Sequence, residues 1–207
     1  YKDSAFVTRT QNTNAKEDLQ IRSVREQLEK IKEKIGSDFV KLRVGNNTYE
    51  VTEVESTPGT PKSDMNFIGK NGVRLGFCSL KDGATASAIQ QWGGASVSRE
   101  PLIAAHPEVV AFVKTAREMF PTEIPQGTTV AREISDPKLR MQGIYGSGYG
   151  GSLGVNNVDV LLQGTVKINA INFTEYKITG SAMTHSNGST LPPVSYTHLR
   201  AHETNQD

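Results

Sequence analysis

Apolar residues recur at helical spacing in one early stretch, where Ile21, Val24, Leu28, Ile31 and Ile35 form a single stripe. The pattern predicts a helix from about Ala15 to Ile35, with Asn14 as its N-cap and Gly36 as its stop. At about 100° per residue, Glu17 lies within roughly 20° of Val24 and so falls on the same stripe. An acid there either complements the helix macrodipole near its N-terminus or points inward. Residues 1–14 are expected to be a flexible N-terminal stretch.

The period then shortens. "FVKLRVGNNTYEVTEVE" reads as strands, with Asn46-Asn47 near Gly45 suggesting a hairpin. The cluster "STPGTPKS" forms a loop that leads into "DMNFIGKNGVRLGFCSLKDG". Asn71-Gly72 at the centre of this run suits a two-residue hairpin turn. If Lys70 and Val73 flank it and pair, Asp64 falls opposite Ser79. Side chains alternate faces along a strand, so Asp64, Ser79 and Lys81 then share one face. A four-residue turn preserves that parity and a three-residue turn breaks it.

After Gly83, "ATASAIQQWGG" reads as a short helix ending at Gly93-Gly94, and "PLIAAHPEVVAFVKTAREMF" as a longer one whose main run begins at Pro107. From about Thr128 the chain turns to β and turn character. "GIYGSGYGGSLG" is expected to be a flexible segment, and "NNVDVLLQG", "VKINAINF" and "EYKITGSAMTH" are strand-like. No internal repeat is apparent.

Composition changes the picture at the ends. "VSYTHLRAHET", from Val194 to Thr204, reads as the translation of a sequencing adapter, so residues 194–207 are expected not to be native, and His198 and His202 are set aside. Tyr1 in place of a methionine is taken to mark a truncated fragment from environmental sequence. The remaining chain, about 193 residues, is long enough to bury a core. With 23 Lys and Arg against 22 Asp and Glu, no charge excess advertises nucleic acid or excludes it. Cys78, the single cysteine, cannot form an internal disulfide and reads as a small core residue. With no run of about 18 apolar residues and no signal peptide, a soluble, cytoplasmic protein is expected.

The chemistry concentrates at the end of "FCSLKDG". An acid at a strand start, a short hairpin, and x-x-Lys at the end of the next strand suit phosphodiester hydrolysis assisted by Mg2+. A carboxylate holds a hard cation through oxygen, and a lysine beside it stabilises developing charge.

"TPKSD" followed by "FCSLKDG" resembles the PD-(D/E)XK nuclease superfamily, with Asp64 matching its first acid and Ser79-Leu80-Lys81 its (D/E)-x-K tripeptide. The run "SLKDG…QQWGG", with "NNVDVLLQG" and "GSAMTHSNG", is similar to phage-encoded endonucleases of restriction-enzyme-like fold. The motif covers residues 61–81, and the wider similarity runs from Asp64 to Gly188. The resemblance implies an α/β (α+β) fold, a mixed sheet flanked by helices, and a DNA endonuclease using Mg2+ (or Mn2+). The chain departs from the pattern at Ser79, which brings no negative charge. Metal would then rest on Asp64, the backbone carbonyl of Leu80 and a helix acid, for which Glu17 is the candidate. Weaker or differently selective metal binding is the expected cost.

Gln90 and Gln91 match the place where the superfamily often sets a polar residue near the lysine, although glutamines on an exposed helix face are ordinary. Trp92 reads as a packing residue, Asp82 as a turn or capping residue, and His106 as leading into the helix at Pro107. Tyr145 and Tyr149 are candidates for a mobile flap that stacks on nucleic acid. Lys62 and His185, the latter placed in a turn near Asn187-Gly188, are candidates for phosphate contact, as are Lys70, Arg74, Arg99, Arg132, Lys138 and Arg140; such cations also occur on any solvated surface. The expected organisation is a nuclease-like α/β core over residues 15–125 and a β- and Gly-rich extension over 126–193 packed on it. The expected partner is DNA, with no membrane; a homodimer is one option the chain leaves open. The rival readings are a catalytically inactive DNA-binding module of the same fold and a phage virion structural or assembly protein.

Overall fold

The computed structural model describes residues 2–59, 62–82, 91–92, 104–126, 129–185 and 196–200. Helix α1 (Lys2–Ile35) is followed by β1 (Val40–Val44), β2 (Asn47–Ser56), β3 (Met65–Gly69), β4 (Arg74–Lys81) and the short β5 (Gln91–Trp92). Helix α2 (Pro107–Met119), β6 (Thr129–Glu133) and helix α3 (Pro137–Tyr145) come next. The described chain ends with β7 (Val160–Gln163), β8 (Lys167–Ala170), β9 (Glu175–Thr179), β10 (Ala182–His185) and β11 (Tyr196–Arg200). The fold is a mixed α/β arrangement. Among the described residues no helix is long and apolar enough to cross a membrane.

The main sheet has eight strands in the order β10-β7-β4-β3-β2-β1-β9-β8. β1 through β4 form an antiparallel meander, while β4 pairs with β7, and β1 with β9, in parallel. Parallel neighbours require crossover connections, and the segment between β4 and β7 supplies one that carries α2 and α3. The stripe on α1 packs Ile21, Val24 and Leu28 against Leu42, Val54, Met65, Phe67, Leu80 and Leu162 on one face of this sheet. Burying side chains of this size contributes about 1.5–3 kcal/mol each. The opposite face of β4 and β7 is covered by Met141, Ile144 and Tyr145 of α3, packed with Phe77 and Leu161. Strands buried on both faces read as continuous apolar runs, which accounts for "VLLQ" in β7.

Several expectations need correction. The helix does not begin after Asn14, nor are residues 2–14 an irregular stretch, since α1 runs from Lys2 straight through them. Asparagine inside a helix costs under about 1 kcal/mol relative to alanine, too little to force a boundary. Gly36 does end the helix, with φ of 63°. Residues 126–193 are not an extension packed on a finished core. β7 lies beside β4 and β9 beside β1, so the second half supplies strands to the same sheet. In place of part of the short helix expected around Gln91 there is the strand β5, paired in parallel with β11. Helix α3 was hidden in what read as a β and glycine-rich region. Its signal is Asp136-Pro137, with the Asp136 carboxylate accepting from the Leu139 N–H at 2.7 Å and proline in the first turn. α2 begins at Pro107 as expected, and His106 Nδ1 accepts from the Glu108 N–H at 3.1 Å.

Candidate functional site

The hairpin that carries the site is built differently from the expected one and arrives at the same facing. Gly69 N–H donates to the Val73 carbonyl at 2.9 Å, and Ile68 pairs with Arg74, so the turn holds three residues, Lys70, Asn71 and Gly72. That alone would send Asp64 and Ser79 to opposite faces. Farther down, Met65 pairs with Cys78 while Phe67 pairs with Leu75, so Gly76 and Phe77 together oppose Asn66. This bulge inserts one residue and restores the parity. Gly76 has φ of 62°, and a Cβ there would approach Phe67 Cδ2 at 3.0 Å and Val44 Cγ2 at 3.3 Å, so the bulge requires glycine. A glycine inside a strand pattern is the sequence signal that announces it.

Below the bulge, Asp64 N–H donates to the Cys78 carbonyl at 2.9 Å, which continues the ladder one residue past β3. The Asp64 side chain then closes on the strand opposite. Its Oδ2 accepts from the Leu80 N–H at 2.6 Å and from the Ser79 hydroxyl at 3.2 Å. The N–H and carbonyl of one strand residue point to the same side, so the Leu80 carbonyl is turned toward Asp64 as well. No hydrogen bond is donated to Asp64 Oδ1 from the described residues.

Glu17 and Lys81 lie within electrostatic range of Asp64. Glu17 is half-buried, as its place on the α1 stripe predicts. Burial, and then the negative charge of Asp64, push its carboxyl up to about 7, while Lys81 acts in the opposite direction. Burial also raises Asp64, opposed by the Leu80 N–H, the Lys81 and Lys62 ammonium groups and the Ser79 hydroxyl. Two carboxylates and a lysine therefore share one electrostatic environment at the end of β4. Lys62 belongs to its rim, with Nζ donating to the Gly143 carbonyl at 3.1 Å.

Of the residues singled out in the chain, Asp64, Ser79, Leu80, Lys81 and Glu17 are brought together, with Lys62 beside them. Tyr145 is not. It is the fully buried last residue of α3, and Tyr149 stacks on it with ring centroids 5.7 Å apart. The segment between them is folded by internal bonds such as Gly148 N–H to the Asn156 carbonyl and Asn157 Nδ2 to the Gly151 carbonyl. His185 ends strand β10 and does not sit in a turn. Its side chain, those of Gln91 and Trp92, and the whole of Gln90 and Arg99 lie outside the described residues. Lys70 and Arg74 are engaged by Glu50 and Glu55.

One buried acid escaped the sequence reading. Asp159 is 2% exposed, with Oδ1 accepting from Tyr49 Oη at 2.5 Å and Asn47 Nδ2 at 3.3 Å, and Oδ2 accepting from the Phe77 N–H at 3.0 Å. Its own N–H donates to the Phe77 carbonyl at 2.8 Å, so Asp159 serves both polar groups of the Phe77 backbone on the side that faces β7. A lone aspartate in the apolar run "VDVLL" was the available hint.

The donor set suits a small hard cation with few protein ligands. Among the described residues no group of three or more His, Cys, Asp or Glu side chains gathers to hold a metal. Glu17, Asp64 and the Leu80 carbonyl are all oxygen donors, and Mg2+ commonly rests on one or two carboxylates while keeping several waters. No family model, curated protein or solved structure matches this chain.

Proposed function

We propose that the chain is a Mg2+-dependent (or Mn2+-dependent) DNA endonuclease of the PD-(D/E)XK type, phage-encoded and working in the host cytoplasm. The observation that supports this reading is the Asp64 carboxylate closed onto the Ser79 hydroxyl and the Leu80 N–H at the end of β4, with the charges of Lys81 and Glu17 within electrostatic range of it. Glu17, Asp64 and the Leu80 carbonyl would hold the cation. When bound, it would neutralise charge on the phosphate and lower the pKa of a water.

The side chains divide the remaining work. Asp64 is held by the Leu80 N–H and the Ser79 hydroxyl through one oxygen, which commits its carboxylate to a fixed orientation. Lys81 supplies positive charge where the attacked phosphodiester accumulates negative charge, and it orients the attacking water. The new P–O bond forms to that water as the bond to the leaving sugar oxygen breaks. Ser79 acts through Asp64 and is a positioning residue.

The test is plasmid DNA incubated with the purified protein and Mg2+, beside Lys81→Ala. The expected outcome is nicking by the wild type and a loss on the order of 10²–10³-fold in the variant; equal activity would remove Lys81 from the mechanism. One observation favours the inactive DNA-binding module. Ser79 spends its hydroxyl on Asp64 and adds no charge, which leaves only two acids. DNA binding without cleavage in either Mg2+ or Mn2+ would select that reading. The virion structural or assembly protein stays as a third reading, and plasmid binding or nicking by the purified protein would count against it.

A further inference from the structure

The connection from β2 to β3 opens at Thr57, closes at Ser63 and delivers Asp64 to the face of β4. Its sequence, "TPGTPKS", carries no aliphatic or aromatic side chain beyond its prolines to anchor it in a core. A carboxylate at the end of such a segment is only as well placed as the peptide that bears it.

Polar groups supply the anchor. Thr57 N–H donates to the Asp64 carbonyl at 3.0 Å, and Asp64 N–H donates to the Cys78 carbonyl at 2.9 Å. The Ser63 hydroxyl reaches the same Cys78 carbonyl at 3.4 Å and the Met65 carbonyl at 2.9 Å. Thr57 Oγ1 lies 2.9 Å from Ser63 Oγ and donates to Asn66 Oδ1 at 2.9 Å. A ring of hydrogen bonds therefore closes around the Asp64 peptide, running from the Thr57 N–H through Asp64 to Cys78 and back through the two hydroxyls.

Asn66, the residue that Gly76 and Phe77 together oppose, joins this ring to the bulge, and its Nδ2 donates to Glu55 Oε1 at 3.1 Å and to the Phe67 carbonyl at 3.2 Å. Thr57, Ser63 and Asn66 are all buried, and each of their side-chain polar atoms has a partner. A satisfied buried network of this kind specifies one arrangement of the groups it joins, where apolar residues of the same shape would hold the fold about as well.

We infer that Thr57 and Ser63 are positioning residues for Asp64, fixing its peptide so that the carboxylate stays on the Leu80 N–H and the Ser79 hydroxyl. The importance of that carboxylate for cleavage rests on the nuclease reading; its placement by the ring does not. The experiment compares Thr57→Val, which keeps the shape and removes the hydroxyl, with Thr57→Ser, which keeps the hydroxyl, in the full chain without metal or DNA. Amide hydrogen exchange is followed at Leu80, whose N–H is held by Asp64 at 2.6 Å. Two amides serve as references: Phe77, held by Asp159 at 3.0 Å, and Gly164, bonded to the Lys81 carbonyl at 3.0 Å.

A merely structural role would lower the protection of all three amides together, through the stability of the sheet as a whole. In Thr57→Val, Leu80 should instead lose about tenfold in protection relative to both references, and in Thr57→Ser it should exchange as in the wild type. An unchanged Leu80 in Thr57→Val, equal losses at the three amides, or the same loss in Thr57→Ser would overturn the inference. Should Thr57→Val fail to fold, Ser63→Ala removes the other hydroxyl of the ring and is read by the same three amides. A wild type without cleavage activity strikes the nuclease reading and leaves this comparison intact; an active wild type whose Leu80 is unmoved by Thr57→Val does the reverse.

Discussion

Asp159 and Asp64 perform the same local task at two points of β4, and only one of them has the surroundings for chemistry. Each carboxylate accepts a backbone N–H from that strand, Phe77 for Asp159 and Leu80 for Asp64. Asp159 is sealed in, and its other oxygen is filled by Tyr49 and Asn47, both neutral donors. Asp64 lies beyond the end of β3, partly open, facing Glu17 and the ammonium groups of Lys81 and Lys62. A buried acid with both oxygens served by neutral donors is a structural bracket. An acid with an unserved oxygen, a second acid and cations beside it can bind something that arrives from outside.

The sharpest way to test that contrast is to neutralise both acids in turn. Asp64→Asn should reduce Mg2+-dependent plasmid nicking on the order of 10²–10³-fold, with a melting temperature close to that of the wild type. Asp159→Ala should do the opposite. It strands the buried Phe77 N–H and takes a partner from the half-buried Tyr49 hydroxyl and Asn47 amide, so the loss should be about 1–3 kcal/mol in urea unfolding. Nicking per folded molecule should persist. If Asp159→Ala removes activity without loss of stability, the two sites have been assigned the wrong way round.

Gly76→Ala touches both halves of the comparison, because the bulge sets the facing of Asp64 and includes Phe77, whose N–H donates to Asp159. A non-glycine residue in this conformation costs about 1–2 kcal/mol, and the crowding against Phe67 adds to it. The expected result is an unfolding curve displaced to lower urea and a reduced nicking rate in the same variant. Wild-type activity in a destabilised Gly76→Ala would separate the parity of the hairpin from the function of the site.

The smallest effect is in pH. Glu17 ionises near 4.5 in the unfolded chain and at about 7 in the folded one. Between those values the folded state holds the extra proton, so stability falls as pH rises through this window and levels off above it. Asp64 and Asp159, both raised by burial, act in the same direction from a lower starting pH. Glu17→Gln should therefore match the wild type near pH 4 and exceed it at pH 8 in urea unfolding, which flattens the profile. A profile that keeps its full slope in Glu17→Gln would place the titrating group elsewhere.

Much of this arrangement was legible in the chain. The stripe from Ile21 to Ile35 located the helix and turned Glu17 inward, and the spacing around Asn71-Gly72 brought Asp64 toward Ser79 and Lys81. The hairpin was read with the wrong turn, and a second irregularity at Gly76 restored the parity that the turn had broken. Compensating irregularities of this kind leave no trace in a period-two count. Tyr145 was misread because glycines around it suggested a loose segment, whereas "PKLRMQGIY" coils into α3 and buries the ring. Asp159, Thr57 and Ser63 were passed over because polar residues acquire meaning only when a partner is known.

The amino-acid sequence by itself determined what is local: the period of side-chain burial in α1 and the strands, the stop at Gly36, the start of α2 at Pro107, and the types of group at the end of β4. Tertiary structure alone decided the order of strands, the addition of β7 and β9 at the two edges of the β1–β4 meander, and the placement of α1 that brings Glu17 within electrostatic range of Asp64. The physical reason is range. Backbone sterics and periodicity act between residues a few positions apart, whereas strand order and charge proximity depend on which distant segments pair, and that is settled by packing the whole chain at once.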